Sequence, residues 1–137
     1  LNLDTTALPM SMYARAELLN FQNKYDEAFT TLDSIVELFP EHSLEDDIYY
    51  LKAKVYRNQG KLDLSEEFYL KVIENFPDGI RADNSIFELA DMYEKEMGRT
   101  EDAQTLYEKL FINYSNSTFA VEARKRYRLL RGDDMPN

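Results

Sequence analysis

The chain has 137 residues, of which 44% are apolar, none is cysteine, and acids outnumber bases by 26 to 16. That apolar fraction supports a packed core, and the missing cysteine removes disulfides, thiolate metal sites and a thiol nucleophile. A net charge of −10 repels the phosphates of a nucleic acid, and no apolar run reaches the ~20 residues of a membrane-spanning helix, so nucleic-acid binding and direct membrane insertion are both set aside.

The first predicted element is a helix near residues 8–22, where Met12, Ala16 and Leu19 stand at i, i+4 and i+7. That spacing draws one apolar stripe down a helix, and the small central residue lets a second helix approach closely. Asn23 then offers a residue tolerant of the left-handed backbone of a tight turn. A second helix near 26–39 carries Ala28, Leu32, Ile35, Val36 and Phe39 on its stripe, and Pro40 ends it.

The pattern then starts again. Sliding the sequence by 37 residues brings Met12, Ala16 and Leu19 onto Tyr49, Ala53 and Tyr56, and a second slide onto Ile86, Ala90 and Tyr93. A parallel stripe aligns Leu18, Val55 and Met92. These are A helices, near 45–58 and 82–96. The B helices near 63–76 and 101–114 carry Ser65, Tyr69, Val72, Ile73 and Phe76, then Ala103, Tyr107, Leu110, Phe111 and Tyr114. Acids stand at the head of each B helix (Asp26 and Glu27, Glu66 and Glu67, Glu101 and Asp102), where the helix dipole favours them. Gly60 and Gly98 take the turn position of Asn23, and Pro77 and Ser115 that of Pro40. Between Tyr93 and Gly98 there is one residue more than between Tyr56 and Gly60, which calls for a longer turn or a π-bulge.

A last helix, near 118–131, has one apolar stripe of Phe119, Ala120, Ala123, Tyr127 and Leu130 on an otherwise charged surface. Five of the bases fall here (Arg124, Lys125, Arg126, Arg128, Arg131). Arg128 replaces the alanine of the earlier A helices and would block a following B helix, so this is the polar cap that a repeat array needs.

Small residue, aromatic or leucine four on, proline eight later: Ala28, Leu32 and Pro40, then Ser65, Tyr69 and Pro77, then Ala103, Tyr107 and Ser115. This pattern resembles the tetratricopeptide repeat. The resemblance implies an all-α fold, a right-handed α-α superhelix, with 1–137 a single domain of repeats at about 8–40, 45–77 and 82–115 and a cap at 118–131. It departs from the family in having no tryptophan, alanine for the helix-A glycine, and a period of 37 to 38 rather than ~34 residues. Its lengthened junctions resemble repeats of bacterial envelope proteins, including outer-membrane assembly lipoproteins and the Tol-Pal coordinator, which implies the cell envelope or periplasm; composition alone leaves the compartment open. A chain that begins at Leu1 reads as a piece of something longer.

No catalytic constellation emerges, and no cofactor is implied. His42 and Asp46, four residues apart, are the one pair with metal-ligand spacing, and a solvated junction is the better reading. Adjacent carboxylates such as Asp46 and Asp47 point in different directions on a helix and make poor acid–base pairs. The expectation is therefore a scaffold that binds a protein or peptide.

The resemblance places the binding groove on the A helices. Tyr13, Tyr50 and Phe87 form a ladder of aromatics one residue beyond the core stripe; Glu17, Lys54 and Asp91 follow one turn on, and then Asn20, Arg57 and Glu94. Aromatics provide large apolar area at low entropic cost, but the same rings would equally serve to pack neighbouring A helices. A structural or self-associating module, the end of a longer array, is the alternative. For it, Leu1, Leu3, Leu8, Met10 and Met12 form an apolar edge expected to self-associate. An RNA-binding repeat using the basic cap is disfavoured by net charge.

Overall fold

A computed structural model describes residues 7–41 and 44–133. Among them are seven helices and no strand: α1 (Ala7–Phe21), α2 (Tyr25–Leu38), α3 (Glu45–Asn58), α4 (Leu62–Asn75), α5 (Ala82–Lys95), α6 (Thr100–Asn113) and α7 (Ala120–Arg131). The fold is an all-α helical repeat, with A helices α1, α3 and α5, B helices α2, α4 and α6, and α7, the last described helix, in the A position. His42, Leu1 and Leu3 lie outside the described residues.

The turns form where the sequence places left-handed residues. Asn23, Gly60, Gly98 and Gly132 all have positive φ, Asn23 being the one non-glycine among the described residues to do so. Past the first two, the next amide reaches back over the helix end: Lys24 N–H donates to the Leu19 carbonyl at 2.8 Å and Lys61 N–H to that of Tyr56 at 2.9 Å. These bonds satisfy carbonyls that the helix end would otherwise leave unpaired. The extra residue of the third repeat is absorbed here. α5 has the same 14 residues as α3, and the equivalent bond, Arg99 N–H to the Tyr93 carbonyl at 2.9 Å, spans one residue more.

Neither α2 nor α6 has a side-chain cap, their N-cap residues being Lys24 and Arg99. The acids of their first turns, Asp26 and Glu27, and Glu101 and Asp102, are therefore what offsets the dipole. α4 differs from expectation: it begins at Leu62, so Asp63 occupies its first turn and Glu66 and Glu67 lie one turn further in.

The long repeat period comes from the junctions. After α4, Gly79 N–H bonds to the Phe76 carbonyl at 3.0 Å and Ala82 N–H to that of Gly79 at 3.2 Å. After α6, Ser117 bonds to Tyr114 at 2.9 Å and Ala120 to Ser117 at 3.1 Å in the same way. Two successive turns thus separate each of these B helices from the A helix that follows.

The described residues form two compact units, divided within α4 after Phe68. In the first, Ala16, Leu19, Ala28, Leu32, Ile35, Ile48, Leu51 and Val55 make one buried cluster. Ala53 is fully buried as well, and its carbonyl accepts a 2.7 Å bond from the buried Ser65 hydroxyl, which explains a serine where the other B helices have alanine. Leu18 departs from the expected stripe. It is 54% exposed while its equivalents Val55 and Met92 are fully buried; Val55 is covered by α1 and α2, and no described hairpin covers Leu18. In the second unit Tyr69, Val72, Ile86, Leu89, Ala90, Met92, Ala103, Tyr107, Leu110 and Ala123 are buried, with α6 packed between α5 and α7.

Candidate partner-binding face

In the first unit the aromatic ladder turns inward. Tyr13 is buried, and its hydroxyl donates to the Asp47 carbonyl at 3.1 Å, tying α1 to the start of α3. Tyr50 is buried too, and the Lys54 ammonium lies 5.3 Å from its ring centre. Asn20 is buried, its side-chain carbonyl accepting a 3.0 Å bond from the Asn58 amide. Glu17 is exposed, and Lys54 and Arg57 are half-buried. Of the candidate residues here, those that reach water are thus charged, and the Tyr50 ring lies beneath Lys54. A cation over an aromatic face is attracted by the ring quadrupole, so Lys54 loses less freedom on meeting an anion than an unsupported lysine would.

In the second unit Phe87, Asp91 and Glu94 are gathered by α6 and α7. Phe87 stacks on Phe119 with ring centres 4.9 Å apart and meets Tyr107 edge-on at 5.9 Å. The Arg126 guanidinium lies 5.2 Å from the Phe87 ring centre. Its Nη1 donates to Asp91 Oδ1 at 2.6 Å and to the Tyr107 hydroxyl at 3.1 Å, and stands 3.7 Å from Glu94 Oε1. The Tyr107 hydroxyl donates to Glu94 Oε1 at 2.8 Å, and Lys95 pairs with Asp91 at 2.9 Å.

This cluster is electrostatically closed. Burial pushes the Tyr107 phenol well above its ordinary range and the bond to Glu94 adds to that, although Arg126 pulls the other way. Burial opposes the charge on Arg126, but its bonds to Asp91, Tyr107 and Glu122 outweigh it and hold the guanidinium protonated. Every group has a partner, so the cluster works as a clamp fastening α7 to α5 and α6. Sequence reading missed Arg126 because it sits in a run of bases, where only the 3.6-residue period marks it as facing Ala123 rather than Arg128.

Two sequence-family models described as tetratricopeptide repeat match the chain, one at residues 46–78 and the other at 10–42 and 84–117. Together they span more than half of its length. No curated protein matches it.

Proposed function

Because the chain belongs to the tetratricopeptide repeat family, whose members are typically non-enzymatic scaffolds for protein–protein interaction, we propose that it binds a peptide or protein segment along its A helices. In the first unit the docking residues are Glu17, Lys54 and Arg57, with Tyr13, Asn20 and Tyr50 as the supporting layer. In the second, Phe87, Asp91 and Glu94 are tied up by Arg126 and Lys95, so this patch contributes less. The observation that carries this reading is Lys54 on the buried Tyr50 ring: a cation held in advance at the position where the family's groove lies. The partner segment is accordingly one that brings a carboxylate to Lys54 and Arg57.

The test is selection of peptides from a random display library, followed by fluorescence anisotropy with the selected sequences. Replacing both Lys54 and Arg57 by alanine should weaken binding about tenfold, ~1.4 kcal/mol, with helicity unchanged. Selected peptides that bind the double variant as tightly as the parent would refute the assignment.

One observation favours the alternative of a self-associating module. α1 exposes Leu8, Met10, Leu18 and Phe21, the last at 85%; of the apolar edge read from the sequence, Leu8 and Met10 are thus exposed, whereas Met12 packs partly against the core. Light scattering on a Leu18→Glu, Phe21→Glu variant separates the readings: a parent that is larger than the variant in solution supports self-association, and equal monomers remove it. The lengthened junctions support a place among envelope-type repeats, and an export signal or lipoprotein cysteine in the full-length gene product would test that.

A further inference from the structure

A cleft of about 590 Å³ opens in the first unit between the end of α2 and the first two turns of α3. Its volume falls within the ~300–1,000 Å³ typical of ligand sites. The floor is apolar, from Val36, Phe39 and Ile48, and the rim holds three carboxylates, Asp33, Glu37 and Glu45. Among the described residues the single base lining the cleft, Lys52, already pairs with Asp33 at 2.9 Å. Because successive residues turn ~100° around a helix, this stripe of α3 faces away from the one that carries Lys54 and Arg57.

The repeat supplies an internal comparison. Two repeats further on, Val36 corresponds to Phe111, Tyr49 to Arg124 and Lys52 to Tyr127. At that junction the space between the B helix and the next A helix is filled by the chain itself. The Phe111 ring meets Tyr127 edge-on at 5.4 Å, and the Arg124 guanidinium lies 5.3 Å from the Phe111 ring centre. In the first unit the ring is missing: Val36 is too short to cross the gap and remains 53% exposed.

We propose that this cleft is a second docking site, separate from the A-helix face, for a partner peptide that presents an aromatic side chain with a cation one helical turn away. The aromatic ring takes the place that Phe111 fills in the later junction. The cation answers the carboxylates of Glu37 and Glu45, since among the described lining residues the one base, Lys52, is paired with Asp33. An acidic peptide is repelled by the same rim, so the two faces select partners of opposite charge.

The experiment uses the full 137-residue chain and three alanine-rich helical peptides: one with Phe and Arg a turn apart, one with that Phe replaced by Ala, and one with that Arg replaced by Glu. Amide chemical shifts are followed by ¹⁵N NMR. The first peptide should give saturable shifts at Val36, Tyr49 and Lys52. The second should give none, and the third should bind at least fivefold more weakly. Val36→Phe should fill the cleft, keep the melting midpoint and abolish the shifts. Should that variant unfold, Val36→Arg, which projects a cation from an exposed position, should abolish them equally. Replacing Lys54 and Arg57 by alanine should leave these shifts intact, which separates this site from the A-helix reading. Absence of saturable shifts with the first peptide, binding that survives both Val36 variants, or tighter binding of the Glu peptide overturns the proposal.

Discussion

Arg126 and Arg128 stand two residues apart in one basic run, and the structure assigns them opposite consequences. Arg126→Ala removes a side chain only 21% exposed, together with its bonds to Asp91 and Tyr107 and its cover over Phe87. Breaking a fully buried ion pair costs ~3–5 kcal/mol, and a hydrogen bond to a charged group ~1.5–3. Two features reduce the figure here. The pair is partly wet, and Asp91 keeps Lys95 at 2.9 Å while Glu94 keeps the Tyr107 hydroxyl, so the carboxylate left without its partner is that of Glu122, which is exposed to water. We expect a loss of about 2–3 kcal/mol, which for a chain of this size lowers the melting midpoint by roughly 6–12 °C. Arg128 is exposed, and its alanine variant should fall within the ~0.5 kcal/mol usual for surface changes. Urea unfolding followed by circular dichroism measures both. Hydrogen exchange should localise the Arg126→Ala effect to α7, and a cycle with Asp91→Asn should return a coupling of at least ~1 kcal/mol. Equal small effects for the two arginines would refute the clamp.

Three further expectations follow from packing, turns and titration. Ala53→Arg or Ala90→Arg puts a cation at a fully buried position and should cost several kcal/mol; Tyr50→Ala, at a side chain the structure buries, should behave as a core truncation costing ~3–5 kcal/mol, both read by urea titration. Gly60→Ala and Gly98→Ala meet no atom within 4 Å, so their cost should be the left-handed backbone alone, about 1–2 kcal/mol, while Asn23→Gly should change little. The Tyr107 phenol binds its proton more tightly in the folded state, so stability should be intact below the unfolded value of ~10 and fall as pH rises beyond it. Burial of Tyr114 and the Glu45 bond to Tyr49 act in the same direction, so thermal melts between pH 9 and 11 should show Tyr107→Phe flattening that fall without abolishing it.

Much of the fold was legible because its information is local. The 3.6-residue stripes mark seven helices, the small residue on the stripe of each hairpin helix marks where a second helix comes close, and Asn23, Gly60 and Gly98 mark the turns by the one property, tolerance of positive φ, that those positions demand. Repetition added what a single hairpin lacks: each element was read three times in register.

Side-chain direction beyond the core stripe was not legible, because it depends on which helix stands opposite. Tyr13 and Tyr50 occupy one position in the repeat and look like a ladder for a partner, yet each is buried by its own unit. Leu18 shares the stripe of Val55 and Met92 but has no described hairpin to cover it. Glu17, Lys54 and Arg57, named from the repeat period, do reach the surface, so the candidate face was half visible in advance. The α2–α3 cleft was not visible at all. It arises from a side chain that is too small, and one-dimensional patterning registers Val36 and Phe111 as the same apolar residue. The sequence by itself determined where the helices and turns are, since those follow from propensity and period. Only the tertiary structure decided which arginine is a clamp, which aromatics are core and where space is left, because those depend on volumes and distances between helices far apart in the chain.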